Sequence, residues 1–444
     1  MASAHLSRAF SSSSTNTKAT WSYWLKLSDV ISNSENFIFA SRDAANNNLR
    51  TYFRVSNDRT FAVLMYDGSG NQLVNKQTTR KFRDPNAWYH VVYRVDTTQG
   101  SADDRVRLYV NGEQETSFTT NTQPAQNSAI RTVSSVNTVW GVNHTPSGGA
   151  YLNGMLAHIN FVEGTSYGPT SFGETNASTG IWVPKTAPSV TYGANGYFLK
   201  MDNSANMGLD SANSNNFTTN GTIIQTKDTP SNVYATFNPL AVLTDATLSN
   251  GNTTCAYGSS TRRCVVSTLA VTSGKYYYEA KVTASSAGTP YATVGIGNTM
   301  EPDSYGNYLG GTNGYSTAYQ YWDGGITVGT STSETVAASV VNDIIGVAFD
   351  VDNYKIYFYK NGTLVSSASG IDFSGQTSGQ GFWTPAVGDA AGTATFTISY
   401  NFGNGYFGTT AVASAGSNGN GSVFEYDVPT GYYALNTQNI GAHS

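Results

Sequence analysis

The sequence predicts an all-β protein made of two β-sandwich domains in series. Only 12% of the 444 residues are Asp, Glu, Lys or Arg, whereas Gly (45) and Tyr (29) are abundant. That is a strand-and-turn vocabulary with little material for long helices. Short runs rich in β-branched and aromatic residues recur along the chain, each bounded by Gly, Asn, Asp or Pro, which is the spacing of a sandwich. At roughly 100–200 residues per domain the length calls for two cores, and 39% hydrophobic residues suffice to fill them.

The first strand carries Trp21, Tyr23 and Leu25 on one face and Ser22, Trp24 and Lys26 on the other, the alternation of a half-buried strand. Residues 37–40, 49–55, 60–66, 88–95 and 106–110 follow as short strands. Asn111-Gly112 then marks a type I′ hairpin into residues 113–118, because that turn needs positive φ at both central positions. Residues 140–142 and 155–161 complete a first domain, 1–200. Between 201 and 240 the periodicity dissolves into Asp202-Asn203-Ser204, Asp210-Ser211 and Asn213-Ser214-Asn215-Asn216, which predicts an Asn/Ser-rich linker. The second domain, 241–444, is clearest at residues 275–282, where Tyr276, Tyr278 and Ala280 oppose Tyr277 and Glu279. Residues 291–296, 343–350 and 354–359 extend it, and Asn361-Gly362 predicts a second I′ hairpin. Both halves thus repeat one local plan: apolar strand, turn, strand, Asn-Gly.

Composition also excludes functions. The net charge is −5 and Lys and Arg form no cluster, so a phosphate-neutralising footprint is missing and nucleic-acid binding is not expected. Ala-Ser-Ala-His after Met1, and the lack of any apolar run near 18 residues, predict neither a signal peptide nor membrane insertion. Cys255 and Cys264 flank a loop with Gly258 and two arginines, and either close a small disulfide or stay free thiols. Glycoside hydrolysis needs two carboxylates roughly 5–10 Å apart across a groove. No run of alternating acids supplies them; Glu113 and Glu115 read as solvated hairpin charges. His5, His90, His144, His158 and His443 are scattered without metal or triad spacing, so no catalytic residue and no cofactor are expected. Asp202, Asp210 and the neighbouring asparagines are oxygen donors of the kind Ca²⁺ takes, yet their spacing is not an EF-hand loop.

One stretch reads as a binding site. Tyr315, Tyr319, Tyr321, Trp322 and Asp323 crowd a segment punctuated by Gly310, Gly311, Gly314, Gly324 and Gly325. Aromatic faces beside a carboxylate can stack on sugar C–H surfaces while the acid accepts hydroxyl hydrogen bonds. The bland alternative is that these rings pack between sheets.

Several motifs carry family resemblances. Trp21-Ser-Tyr-Trp-Leu-Lys-Leu, Trp88-Tyr-His-Val-Val-Tyr-Arg-Val-Asp and Arg105-Val-Arg-Leu-Tyr-Val-Asn-Gly-Glu resemble the laminin G-like, concanavalin A-like lectin/glucanase fold across residues 1–200. Gly274-Lys-Tyr-Tyr-Tyr-Glu, Val294-Gly-Ile-Gly, Asp343-Ile-Ile-Gly-Val-Ala-Phe-Asp and Lys355-Ile-Tyr-Phe-Tyr-Lys-Asn-Gly resemble the SPRY domain. The fold implied is two concanavalin A-like or jelly-roll sandwiches. Tyr400-Asn-Phe-Gly, Phe424-Glu-Tyr and Pro429-Thr-Gly-Tyr-Tyr-Ala-Leu-Asn-Thr are similar to the close of SPRY-like modules in structural proteins of tailed, often marine, bacteriophages. Such proteins often carry an extra N-terminal segment, whereas here the domain pattern begins at Ala4.

That resemblance implies a non-enzymatic virion surface protein, either a tail fibre or appendage subunit or a capsid-decorating subunit. It would assemble in the host cytoplasm and sit on the particle exterior. Its partners would be itself, as a trimer first, and other virion proteins. The alternatives are a receptor-recognition protein that binds a host surface glycan, and a tailspike-type polysaccharide depolymerase.

Overall fold

The computed structural model describes residues 4–30, 34–43, 48–143, 150–242, 246–258, 264–298, 308–310, 315–376, 381–390, 392 and 394–444. His144, Gly311, Gly314 and the two arginines of the cysteine loop lie outside them. The chain forms two compact units, Met1–Gln225 and Thr226–Ser444. Both are β-sandwiches, and the helix Thr437–His443 is capped by the Asn436 side chain. No helix among the described residues is long and apolar enough to cross a membrane.

The first unit packs an eight-stranded antiparallel sheet on a six-stranded one. The larger runs, in spatial order, Phe118–Thr122, Gln72–Lys81, Thr60–Tyr66, Arg50–Val55, Asn36–Arg42, Asn137–Trp140, His5–Arg8, Thr218–Asn220. The smaller runs Glu113–Gln114, Val106–Val110, Trp88–Asp96, Lys18–Leu27, Gly154–Glu163, Tyr197–Leu199. Alternation along Lys18–Leu27 sends Trp21, Tyr23, Leu25 and Leu27 into the core, as the sequence predicts. There Trp21 meets Phe53 edge-on at 5.3 Å and Tyr23 meets Trp140 at 5.4 Å. The buried indole N–H of Trp140 donates to the Tyr197 hydroxyl at 2.9 Å, so this core strands neither polar group.

The second unit has the same two-layer plan. One sheet orders Ala246–Ser249, Thr254–Tyr257, Phe396–Asn401, Lys275–Ser285, Ile344–Asp350, Lys355–Lys360, Thr363–Leu364. The other orders Cys264–Val266, Thr384–Asp389, Ala292–Gly297, Ser316–Gln320, Gly325–Val328, Ser331–Thr335. Tyr276, Tyr278 and Ala280 join the core between them, while Tyr277 faces a separate outer cluster with Phe424 and Val428. Cys255 and Cys264 belong to different sheets and are free, buried thiols, which decides between the two readings of that pair.

Both predicted Asn-Gly hairpins form. Asn111 and Gly112 have φ of 51° and 86°, Asn361 and Gly362 of 48° and 80°. Each asparagine also clasps the strand before the hairpin: Asn111 Oδ1 accepts the His90 N–H at 2.8 Å, and Asn361 Oδ1 accepts the Ile344 N–H at 2.9 Å.

The stretch 201–240 is not a linker in the structure. Residues up to Gln225 complete the first unit: Thr218–Asn220 pairs with His5–Arg8, and Phe217 buries against Tyr197 at 4.8 Å. Asp210 holds this segment. Its carboxylate accepts the backbone N–H groups of Phe198, Ala212, Asn213 and Asn215 at 2.8–3.1 Å. The amides of Asn213 and Asn215 donate in turn to the Gly196 carbonyl, at 2.8 and 2.9 Å. Side chains here satisfy the backbone where a ladder otherwise would, so the segment is ordered without periodicity. These bonds also engage both Asp210 oxygens, Asp202 is exposed, and among the described residues no three His, Cys, Asp or Glu side chains are grouped to hold a metal ion. From Thr226 the chain belongs to the second unit, where Ala235 donates its N–H to the Leu435 carbonyl at 3.0 Å.

Candidate functional site

The five residues singled out by sequence separate into three groups. Tyr319 and Tyr321 are fully buried. The Tyr319 hydroxyl donates to the Ala337 carbonyl at 2.8 Å, and the Tyr321 hydroxyl donates to the Ala280 carbonyl at 3.2 Å. Burial pushes the Tyr319 phenol up to about 12. Both rings are core, because residues 319 and 321, two positions apart, point to the same inward side, and both are closed to solvent. Tyr315 lies at the other end of Ser316–Gln320, half-buried against the cluster containing Cys264, Leu309 and Ala318.

Trp322 and Asp323 remain at the surface, on the turn between Ser316–Gln320 and Gly325–Val328. Asp323 is exposed and its Oδ1 accepts the Gly325 N–H at 2.8 Å, which shapes the turn. Gly324 has φ of +73°, and a Cβ there would lie 2.0 Å from the Val336 carbonyl oxygen, so only glycine fits. Half-buried Trp322 packs against Tyr291 at 5.9 Å and Tyr308 at 6.2 Å, the latter edge-on. Tyr291 is 38% exposed. The sequence reading missed Tyr291 and Tyr308. The signal was register: Thr293 pairs with Gln320, which sets residue 291 opposite 322. Three aromatic rings beside an exposed carboxylate form a surface platform, a composition enriched where surfaces make contact.

Among the described residues, the histidines and hairpin acids weighed in the sequence have other contacts. His90 is fully buried, stacked on Trp24 at 4.8 Å and facing Trp182 at 6.0 Å. The Trp182 indole N–H donates to Nδ1 at 2.9 Å. Indole N–H can only donate, so Nε2 carries the ring hydrogen and gives it to Ser22 Oγ at 2.8 Å. In that tautomer His90 cannot take the serine proton, and burial lowers its pKa to about 3. His158 has φ of +47° at a bulge in Gly154–Glu163 and packs near Phe198. His5 tilts against Tyr151, and His443 stacks on Tyr433 at 3.7 Å. Glu115 pairs with Arg80 at 2.9 Å, and Glu113 is exposed on its hairpin strand.

Glu279 is a fully buried carboxylate with four donors on it. It accepts the N–H groups of Glu425 and Tyr426 at 2.8 and 2.9 Å, the Tyr277 hydroxyl at 3.2 Å and the Asn401 amide at 3.2 Å. Burial outweighs these donors and raises its pKa to about 7. It anchors the segment 424–426 over the outer face of the sheet.

Residues 3–168 match the laminin G-like branch of the concanavalin A-like lectin/glucanases superfamily, and residues 275–398 match the SPRY domain. The chain therefore carries a concanavalin A-like domain and a SPRY domain in series. Among solved structures it is similar to the SPRY domain of human HERC1 at 19% identity, covering 37% of this chain and 96% of that one with a TM-score of 0.31. Stonustoxin is similar at 19% identity over 38% of this chain and 27% of its own, with a TM-score of 0.28. The TRIM65 PSpry domain is similar at 14% identity over 38% and 91%, with a TM-score of 0.27. The search of curated proteins found no match.

Proposed function

We propose that this chain, a concanavalin A-like domain followed by a SPRY domain, is a non-enzymatic virion surface protein of a tailed bacteriophage that presents loops for adhesion and assembly. The observation that carries the adhesive half is the Tyr291–Tyr308–Trp322 platform with Asp323 at its edge, on the exposed end of a strand pair. The particle half rests on the order of the two modules and on the closing motifs at Tyr400 and Pro429, which are similar to those of phage structural proteins. Low surface charge with much Tyr, Asn, Thr and Gly suits a subunit that associates, trimer first, or docks onto other virion proteins.

The test labels intact particles with antibody to the chain and measures adsorption to host cells for Trp322→Ala particles. Labelling on the particle exterior is expected, with adsorption lowered about tenfold, the scale of losing one aromatic anchor. Unlabelled particles, or a variant that adsorbs as the parent does, overturn the reading. Release of oligosaccharides from host polysaccharide by the purified chain overturns its non-enzymatic part.

A further inference from the structure

The sequence holds ten Asn-Gly pairs, of which Asn313-Gly314 lies outside the described residues. Such a pair carries chemistry of its own. The glycine nitrogen has no Cβ beside it to shield it, and the carboxamide carbon of the preceding asparagine is one small ring away. Whether the two meet depends on how firmly the fold holds the side-chain amide and the backbone nitrogen, and on what local opening costs.

Eight of the nine described pairs are held. Asn111 and Asn361 clasp the strands before their hairpins. The Asn195 amide donates to both Glu163 oxygens, at 3.0 and 3.1 Å. The amides of Asn220, Asn250 and Asn418 donate to Ser7 Oγ at 2.9 Å, Thr254 Oγ1 at 3.1 Å and the Val428 carbonyl at 3.2 Å. At Asn404 the nucleophile itself is engaged, because the Gly405 N–H donates to Asn401 Oδ1 at 3.1 Å. The Asn153 carbonyl accepts the Ser28 N–H at 3.1 Å, and Gly154 opens a strand so close to its neighbour that a Cβ would run into the Lys26 carbonyl oxygen.

Asn420-Gly421 is held by neither means. It sits at the tip of the loop 416–428, whose base is tied by the Gly416 N–H on the Phe424 carbonyl at 2.9 Å and the Val428 N–H on the Ser417 carbonyl at 3.0 Å. Asn420 and Gly421 have φ of 50° and 88°, and the Ser422 N–H donates to the Gly419 carbonyl at 2.9 Å, so the tip is a third turn with positive φ at both central residues. Both residues are exposed. Among the described residues neither the Asn420 side chain nor the Gly421 N–H makes a hydrogen bond. A Cβ on Gly421 would meet no described atom within 4 Å, so the loss of one backbone bond lets the turn swing open.

We propose that Asn420-Gly421 is a self-modifying site of the folded chain. The Gly421 nitrogen attacks Asn420 Cγ, its proton passes to the departing amide nitrogen, ammonia leaves and a succinimide forms. Water then opens the ring at either carbonyl and leaves aspartate or isoaspartate. Either product adds a negative charge at the exposed tip. Isoaspartate also lengthens the main chain by a methylene one residue before Ser422, which is buried with its hydroxyl 2.8 Å from that of Tyr234. The age of a molecule is thereby written into the segment that packs on the outer cluster of Tyr234, Tyr277 and Phe424.

The native full chain, held at pH 8 and sampled over time, tests the proposal when peptide mapping by mass spectrometry scores amide-to-acid conversion at each asparagine. Asn420 is expected to convert at least about fivefold faster than the other eight described pairs, the scale of one hydrogen bond that must open first. In the chemically denatured chain the nine rates are expected to converge, since all have glycine next. Asn420→Gln, which would need a larger ring, is expected to remove the early acidic species seen on ion exchange. An Asn420 that keeps its amide, another described pair converting first, a lead for Asn420 that persists unchanged in denaturant, or an acidic species that survives in Asn420→Gln overturns the proposal.

Discussion

The two units build the same three-strand device and cover it differently. In the first, Lys18–Leu27 is flanked by Trp88–Asp96 and Gly154–Glu163; in the second, Lys275–Ser285 is flanked by Ile344–Asp350 and Phe396–Asn401. Lys18 faces Asp96 at 3.6 Å, and Lys275 faces Asp350 at 3.0 Å, at equivalent register positions. That register makes Ser22 the counterpart of Glu279. Each Asn-Gly turn lies under a later aromatic: a Cβ on Gly112 would meet Trp182 at 3.1 Å, and one on Gly362 would meet Tyr426 at 2.6 Å. What differs is the buried polar group beneath the cover, a neutral Ser22–His90 pair in one unit and a carboxylate in the other. One scaffold thus accepts a neutral pair or an acid on its outer face, provided the covering segment brings the right donors.

Truncating the counterparts gives the largest contrast. Glu279→Ala leaves two backbone N–H groups, the Tyr277 hydroxyl and the Asn401 amide without their acceptor, and is expected to cost about 3–5 kcal/mol. Ser22→Ala removes one neutral hydrogen bond and is expected to cost about 1 kcal/mol. Chemical denaturation of both variants measures the gap, and equal losses would break the comparison.

The next effect concerns pH. The unfolded imidazole takes a proton below pH 6.5 that folded His90 refuses until about 3, so the first unit loses stability as pH falls through 6.5. His158, lowered to about 4, adds in the same direction. For Glu279 the sign reverses. Its folded pKa of about 7 exceeds the unfolded 4.5, so its contribution is present below 4.5 and drains away as pH rises to 7. Between pH 7 and 5 the first unit is expected to lose about 4 kcal/mol from the two histidines together, and the second to gain about 2 kcal/mol. Scanning calorimetry across that range should show two transitions moving in opposite directions, with Glu279→Gln flattening one of them.

The smallest contrast sits at the turns. Gly112→Ala and Gly362→Ala both force positive φ on alanine, at about 1 kcal/mol. Gly362→Ala should cost roughly 1 kcal/mol more, because its Cβ meets the base of the Tyr426 ring, whose backbone Glu279 holds in place. Equal melting temperatures would show that the Tyr426 cover yields as easily as Trp182.

Strand faces and turns were legible because they are local: alternation placed Trp21 and Tyr276 inward, and Asn-Gly located both hairpins. The platform was half legible. Trp322 and Asp323 stood out, but Tyr319 and Tyr321 were miscast because a period of two assigns a face without saying which face is covered. Tyr291 was missed because pairing register joins residues that the sequence separates. Glu279 shows the limit most clearly, since the amides that define its role lie 146 and 147 positions away. Residues 201–240 misled for another reason: Asp210 and its asparagines make order out of side-chain bonds that have no period.

The pairing of His5–Arg8 with Thr218–Asn220 also governs how the first unit comes into being. Its opening strand finds one neighbour only at Asn137–Trp140 and the other some 80 residues later. Contacts of such sequence separation slow folding, because the closure entropy of the intervening chain comes first. At about 5–20 residues per second of synthesis, an emerging chain keeps that strand unpaired on one side for roughly 4–16 s. Translation speed therefore sets how long an open sheet edge is offered to neighbouring nascent chains, and a crowded polysome is where this fold is most exposed to mispairing.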